Sequence, residues 1–147
     1  MRLIIFLRYQ LSASALFILA SFCLPVHAQQ CLRYGPALVS FSGVLRSQVF
    51  PGPPNYESIR RGDRKETAII LKLSATSCVT GNEGDDLNVS ETGIRDVQLV
   101  VTKDSDWKTV RRLIGKRAKV TGTLFHAHTG HHRTKVLIDV TDIRAAA

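Results

Sequence analysis

The chain holds little from which a familiar catalytic centre is built. No Ser, Cys or Thr sits in a nucleophile motif, no glycine-rich phosphate loop is present, and H-E-x-x-H is missing. Those absences remove the signatures of elbow-type hydrolases, phosphate-loop enzymes and zinc peptidases. Cysteine is scarce, with three in 147 residues and none in a C-x-x-C arrangement, which excludes a cysteine-built metal site. Aromatic residues make up only 7%, too few to interleave with basic side chains as a single-strand nucleic-acid groove requires. Internal repeats and low-complexity tracts are absent. The longest apolar stretch, Leu11 to Leu24, is shorter than the roughly 20 residues that span a bilayer.

That stretch belongs to a different pattern. Arg2 and Arg8 precede it and Val26-His27-Ala28 follows it, so a positive start, a short apolar core and an A-x-A-like end read as a signal peptide cleaved near Ala28. A lipid anchor is not indicated, because Phe22 precedes Cys23 where a lipoprotein signal needs a small residue. The expectation is a periplasmic or secreted protein without a stable membrane anchor, its single domain running from 29 to 147. Without Arg2 and Arg8, the 20 basic residues fall to 18 against 12 acidic ones, a net charge of +6. Such a charge suits anionic partners such as envelope polymers, or serves solubility alone. Export argues against nucleic acid. Once Cys23 is removed, Cys31 and Cys78 remain, and two cysteines in an oxidising compartment allow one disulfide.

Hydrophobic periodicity supplies the elements. Alternation over Ala37 to Leu45, extending towards Phe50 with a bend near Gly43, marks a first strand. Prolines make Pro51 to Lys65 an irregular loop. Further strands are expected at Glu66 to Leu73 and at Ile94 to Thr102, separated by an acidic loop from Thr80 to Glu91. Asp104-Ser105-Asp106 offers a helix N-cap, Trp107 to Ile114 has helical spacing, and Gly115 supplies the stop. Strands at Lys116 to Phe125 and Thr134 to Ile143 flank a histidine-rich loop. The order is strand, strand, strand, helix, strand, strand: a mainly β, five-stranded OB-like Greek-key barrel with one helix between strands three and four. OB-folds bind ligands beside the loops joining strands one to two and four to five. Here those are the Pro-rich and His-rich loops, so the two oddest segments are expected to converge.

The strings FPGPPNYES (Phe50 to Ser58) and VTGTLFHAHTGHHRTKVLI (Val120 to Ile138), with Tyr34-Gly35-Pro36 and the two cysteines, resemble an exported bacterial family catalogued as domain of unknown function 4431. The resemblance runs from about Cys31 to Val140. It implies an exported domain of no established activity and no catalytic residues to carry over. The family pattern carries a further histidine where this chain has Arg133, which removes one imidazole from any metal set.

The candidate site residues therefore come from the loops themselves. His126, His128, His131 and His132 place four imidazoles close in sequence, the side chain that most often ligates metals, so a divalent metal is the cofactor to test. The bland alternative is hydrogen bonding to loop backbone. Asn55, Tyr56 and Glu57, with His128, His131 and His132, form a candidate ligand surface on which a tyrosine flanked by amide and carboxylate groups meets a sugar or another polar ligand. An envelope glycan, an anionic polymer or a protein are the partner classes. The expectation is a non-enzymatic binding domain, with a divalent metal-binding protein as the alternative. A hydrolase using His131 as base beside Glu57 ranks third. Arg61-Gly62-Asp63 matches an integrin-recognition tripeptide by chance. The acidic loop at Asn82 to Asn88 lacks EF-hand spacing. A basic face formed by Lys108, Arg111, Arg112, Lys116, Arg117 and Lys119 is a second place for an anionic partner.

Overall fold

The computed structural model describes residues 30–81 and 83–146. The signal peptide expected over 1–28 lies outside the described residues. The elements are β1 (Leu32–Arg33), β2 (Leu38–Pro51), β3 (Lys65–Thr80), β4 (Glu91–Val100), α1 (Asp104–Leu113), β5 (Arg117–His126) and β6 (Val136–Ala145), with a short 3-10 turn at Ile59–Arg61. The fold is mainly β with one helix, as the pattern indicates. Strand order is β1-β3-β2-β5-β6-β4, and an additional β3–β4 pairing closes the five long strands into a hydrogen-bonded ring. Neighbours pair antiparallel except β4 with β6, and β1 with β3, which are parallel. The helix falls between the third and fourth long strands and packs on β6.

Alternation decides which side chains fill the ring. Phe41, Leu45, Leu71, Val97, Val120 and Ile138 point inwards with the helix residues Val110 and Leu113. Two glycines permit strands to approach where a side chain has no room: a Cβ at Gly43 would lie 2.2 Å from the Lys72 carbonyl oxygen, and one at Gly122 would lie 2.0 Å from that of Asp139. The bend expected near Gly43 is where β2 passes from pairing with β5 to pairing with β3.

Several element boundaries differ from expectation for local reasons. β3 runs on to Thr80 through a register shift after Lys72, because its second half pairs with β4. β1 is too short to leave a periodic signal. It pairs Leu32 with Val79 beside the Cys31–Cys78 disulfide, whose Cα atoms are 4.8 Å apart. Closing a loop with a sequence separation of 47 stabilises the fold by roughly 4 kcal/mol in the chain-entropy model. The helix starts earlier than its spacing suggests, with Lys103 as N-cap and no side-chain cap. Trp107 is only partly buried and donates Nε1–H to the Val101 carbonyl at 3.0 Å.

One group of buried residues does not belong to the interior. Ile70, Gln98 and Leu137 are register partners across β3, β4 and β6, and all three face away from the ring. They are nonetheless buried. What covers Gln98 is the His-rich loop.

Candidate functional site

The Pro-rich loop between β2 and β3 is organised from within by Asp63. Its buried carboxylate accepts the Asn55 backbone N–H at 2.9 Å and Asn55 Nδ2 at 3.2 Å on one oxygen. The other oxygen accepts the Glu57 and Ser58 backbone N–H groups at 2.8 and 2.7 Å. These bonds, that of Ser58 foremost, hold its carboxyl below the usual range. Backbone bonds from Gly52 to the Arg64 carbonyl and from Arg64 to the Pro53 carbonyl close the base of the loop. The cage forces Tyr56 to a φ of 59°, a left-handed conformation that costs a non-glycine residue roughly 1–2 kcal/mol. Asp63 is thus an internal strut, and the Arg61-Gly62-Asp63 string does not display its carboxylate.

The His-rich loop is fixed from beneath by Gln98. Its side chain donates to the His131 carbonyl at 3.2 Å and accepts the Arg133 N–H at 2.6 Å, while its own backbone N–H reaches Thr134 Oγ1 at 2.9 Å. An amide that faces away from the core yet is buried has to satisfy both ends, and Gln98 does so by tying three loop positions to β4.

The two loops meet at Tyr56 and His131. The phenol oxygen lies 3.1 Å from His131 Nε2, with ring centroids 5.4 Å apart edge to face. Gly130 makes room for the contact: a Cβ there would sit 3.1 Å from three atoms of the Tyr56 ring. His131 Nδ1 faces Glu66 Oε1 at 2.5 Å, so it carries the proton and leaves Nε2 to accept the Tyr56 hydroxyl. The second Glu66 oxygen accepts from Arg133. The Arg133 guanidinium carbon lies 5.4 Å from the Phe50 ring centroid and 5.5 Å from that of Tyr56, within cation–π range. Desolvation pushes the Glu66 carboxyl up, but hydrogen bonds from His131 and Arg133 outweigh it and bring it below the usual range.

The expected residues fall into separate settings. Tyr56 and His131 come together. Asn55 serves the Asp63 cage. Glu57 pairs with Arg61 at 2.8 Å and does not meet His131, whose carboxylate partner is Glu66. Glu66 stands opposite Phe50 in the β2–β3 register, beneath the His-rich loop. His126, the last residue of β5, places Nε2 3.1 Å from Glu91 and Nδ1 3.0 Å from the Ala127 carbonyl. His128 and His132 pack edge to face, centroids 4.7 Å apart, and the His128 backbone N–H donates to His132 Nδ1 at 3.0 Å. Burial first, then the nearby charges of His128 and His131, lower the His132 pKa. Among the described residues no group of three or more His, Cys, Asp or Glu side chains is placed to hold a metal ion. Glu66, Arg133 and Gln98 were not legible as site residues, since no motif marks them and their partners lie at least 33 positions away.

Residues 96–144 match the family model described as Domain of unknown function (DUF4431). The resemblance read from the sequence holds over this stretch, which spans the second half of β4, then α1, β5, the His-rich loop and most of β6. The matched stretch contributes Gln98, His131 and Arg133 to the cluster, whereas Tyr56, Asp63 and Glu66 come from outside it. Among curated proteins none matches the chain. The Cys31–Cys78 disulfide fits an oxidising compartment, and among the described residues no helix is long and apolar enough to cross a membrane.

Proposed function

We propose that this chain is an exported binding domain, periplasmic or secreted after cleavage near Ala28. Its single domain over 29–147 is OB-like and non-enzymatic. The ligand surface is formed by the Pro-rich loop at 50–61 and the His-rich loop at 126–134. The observation that carries this reading is the Tyr56–His131 contact, which joins the two loops through the only left-handed non-glycine residue among those described. A strained residue held by a four-donor cage is what preorganised recognition looks like. Envelope glycans are the partner class that suits export and polar side chains.

The test is amide chemical-shift mapping of the mature domain against soluble envelope glycan fragments. Shifts in 53–58 and 128–134 that titrate together support the reading; shifts confined to the basic face of α1 contradict it. The divalent-metal alternative rests on one pair. Among the described residues Nε2 of His128 and of His132 have no protein partner, in a loop where the ring nitrogens of His126 and His131 are engaged. Calorimetric titration with zinc, copper and nickel tests it. One-to-one micromolar binding that is lost in a His128→Ala, His132→Ala variant would put the metal reading first.

A further inference from the structure

The carboxylates and cations of the Pro-rich loop are not balanced in their use. Each acid between Pro51 and Glu66 is already committed: Glu57 to Arg61, Asp63 to backbone and side-chain N–H groups, Glu66 to His131 and Arg133. Arg60, Arg64 and Lys65 are exposed, and none has a carboxylate partner among the described residues. Two of the three, Arg64 and Lys65, line a cleft of about 290 Å³ together with Pro53, Glu66 and His131. Glu66 is the one negative group in that lining, and Arg133 offsets its charge. The cleft therefore carries a net positive charge that no protein group neutralises.

We infer that this cleft binds a phosphoryl group, and that the ligand of the proposed two-loop surface is phosphate-bearing. The inference rests on that surface being a binding site and names what it recognises. Arg64 supplies a planar guanidinium fork and Lys65 a point charge with three donors, a set with more donors than the two oxygens of a carboxylate require and well suited to a tetrahedral oxyanion. The frame of the cleft is fixed, because the Arg64 backbone is bonded to Gly52 and Pro53 and His131 is held by Glu66 and Tyr56, while the exposed Arg64 and Lys65 side chains close on the ligand from its rim. A free phosphate and a phospholipid headgroup present the same chemistry, so the test must separate them.

The mature domain is titrated with inorganic phosphate, and separately with phosphatidylglycerol and phosphatidylcholine vesicles, following amide shifts at 52–66 and 130–133. Phosphate is expected to bind with a Kd on the order of 1 mM. Arg64→Gln should weaken it about tenfold, and Arg46→Gln, which removes the same charge from an exposed position on β2 outside both loops and the cleft lining, should leave it within about twofold. Binding to phosphatidylglycerol but not phosphatidylcholine, with the same Arg64 dependence, supports a headgroup as the source; binding of phosphate alone supports a small ligand. Equal weakening by the two variants, or no phosphate response at 52–66, overturns the inference. If glycan fragments without phosphate still shift both loops, the binding-surface reading survives its failure; if they do not, both readings fall.

Discussion

Two carboxylates at either end of the His-rich loop are wired alike and buried unlike. Glu91 bridges His126 and Lys135, and Glu66 bridges His131 and Arg133. At the Glu91 station the histidine and carboxylate are enclosed, 18% and 12% exposed, while the lysine is 76% exposed. At the Glu66 station the arrangement inverts: the arginine is 8% exposed and the histidine 55%. An enclosed histidine with an outer cation is an anchor. An enclosed cation beneath an outer histidine is a platform, because the buried charge fixes the acid and the acid presents the imidazole. The same three chemical groups thus serve architecture at one end and display at the other, and burial decides which.

The cations should separate the stations most sharply. Arg133→Met leaves Glu66 without its enclosed partner and removes the guanidinium from between Phe50 and Tyr56, so a loss of about 2 kcal/mol is expected in denaturant unfolding. Lys135→Met removes an exposed charge and should cost less than about 0.5 kcal/mol. Equal losses would break the comparison.

The carboxylates come next, through pH. Hydrogen bonding from Lys135 holds the Glu91 carboxyl below its usual range; desolvation opposes this, and the bond to His126 adds to it. A depressed folded-state value means that stability is present above the unfolded value near 4.3 and is lost as pH falls through the folded-state value. Glu91→Gln should cost about 1–2 kcal/mol at neutral pH and flatten the acid limb of the stability profile below about pH 4.3. An acid limb unchanged in that variant would contradict the assignment.

Gly130→Ala probes the platform alone. Its Cβ would press on the Tyr56 ring from 3.1 Å, so the ring must shift by a few tenths of an ångström at a cost of about 1 kcal/mol. Weakened binding at the two-loop surface with unchanged shifts at Glu91 and His126 is the expected pattern. The smallest effect is the protonation of His132, whose Nδ1 then no longer accepts the His128 N–H. Since its pKa is depressed, the stabilisation is present above the unfolded value near 6.5 and fades as pH falls below it. Amide protection factors at 128–132, which take out the intrinsic slowing of exchange in acid, should fall on acidification over that range while those of the β strands hold.

Much of this arrangement was legible in the sequence. Alternation located all five long strands, and the two atypical loops were expected to converge and do. The misses follow from physics that pattern does not carry. β1 is two residues long and held by a disulfide and a parallel partner. Gln98 reads as an outward polar residue in an alternating strand, and only tertiary cover makes it a buried strut. Glu57 suggests itself as the partner of His131 because both lie in the unusual loops. The cross-strand register instead puts Glu66 there, through a pairing 65 residues apart.

The central claim is that the Pro-rich and His-rich loops are one preorganised surface joined at Tyr56 and His131. A double-mutant cycle on Tyr56→Phe and His131→Gln, read in the unfolding free energy of the disulfide-intact chain over 29–147, tests it directly. The account predicts a coupling of about 1 kcal/mol; strictly additive effects would mean that the loops touch without depending on each other, and would contradict it.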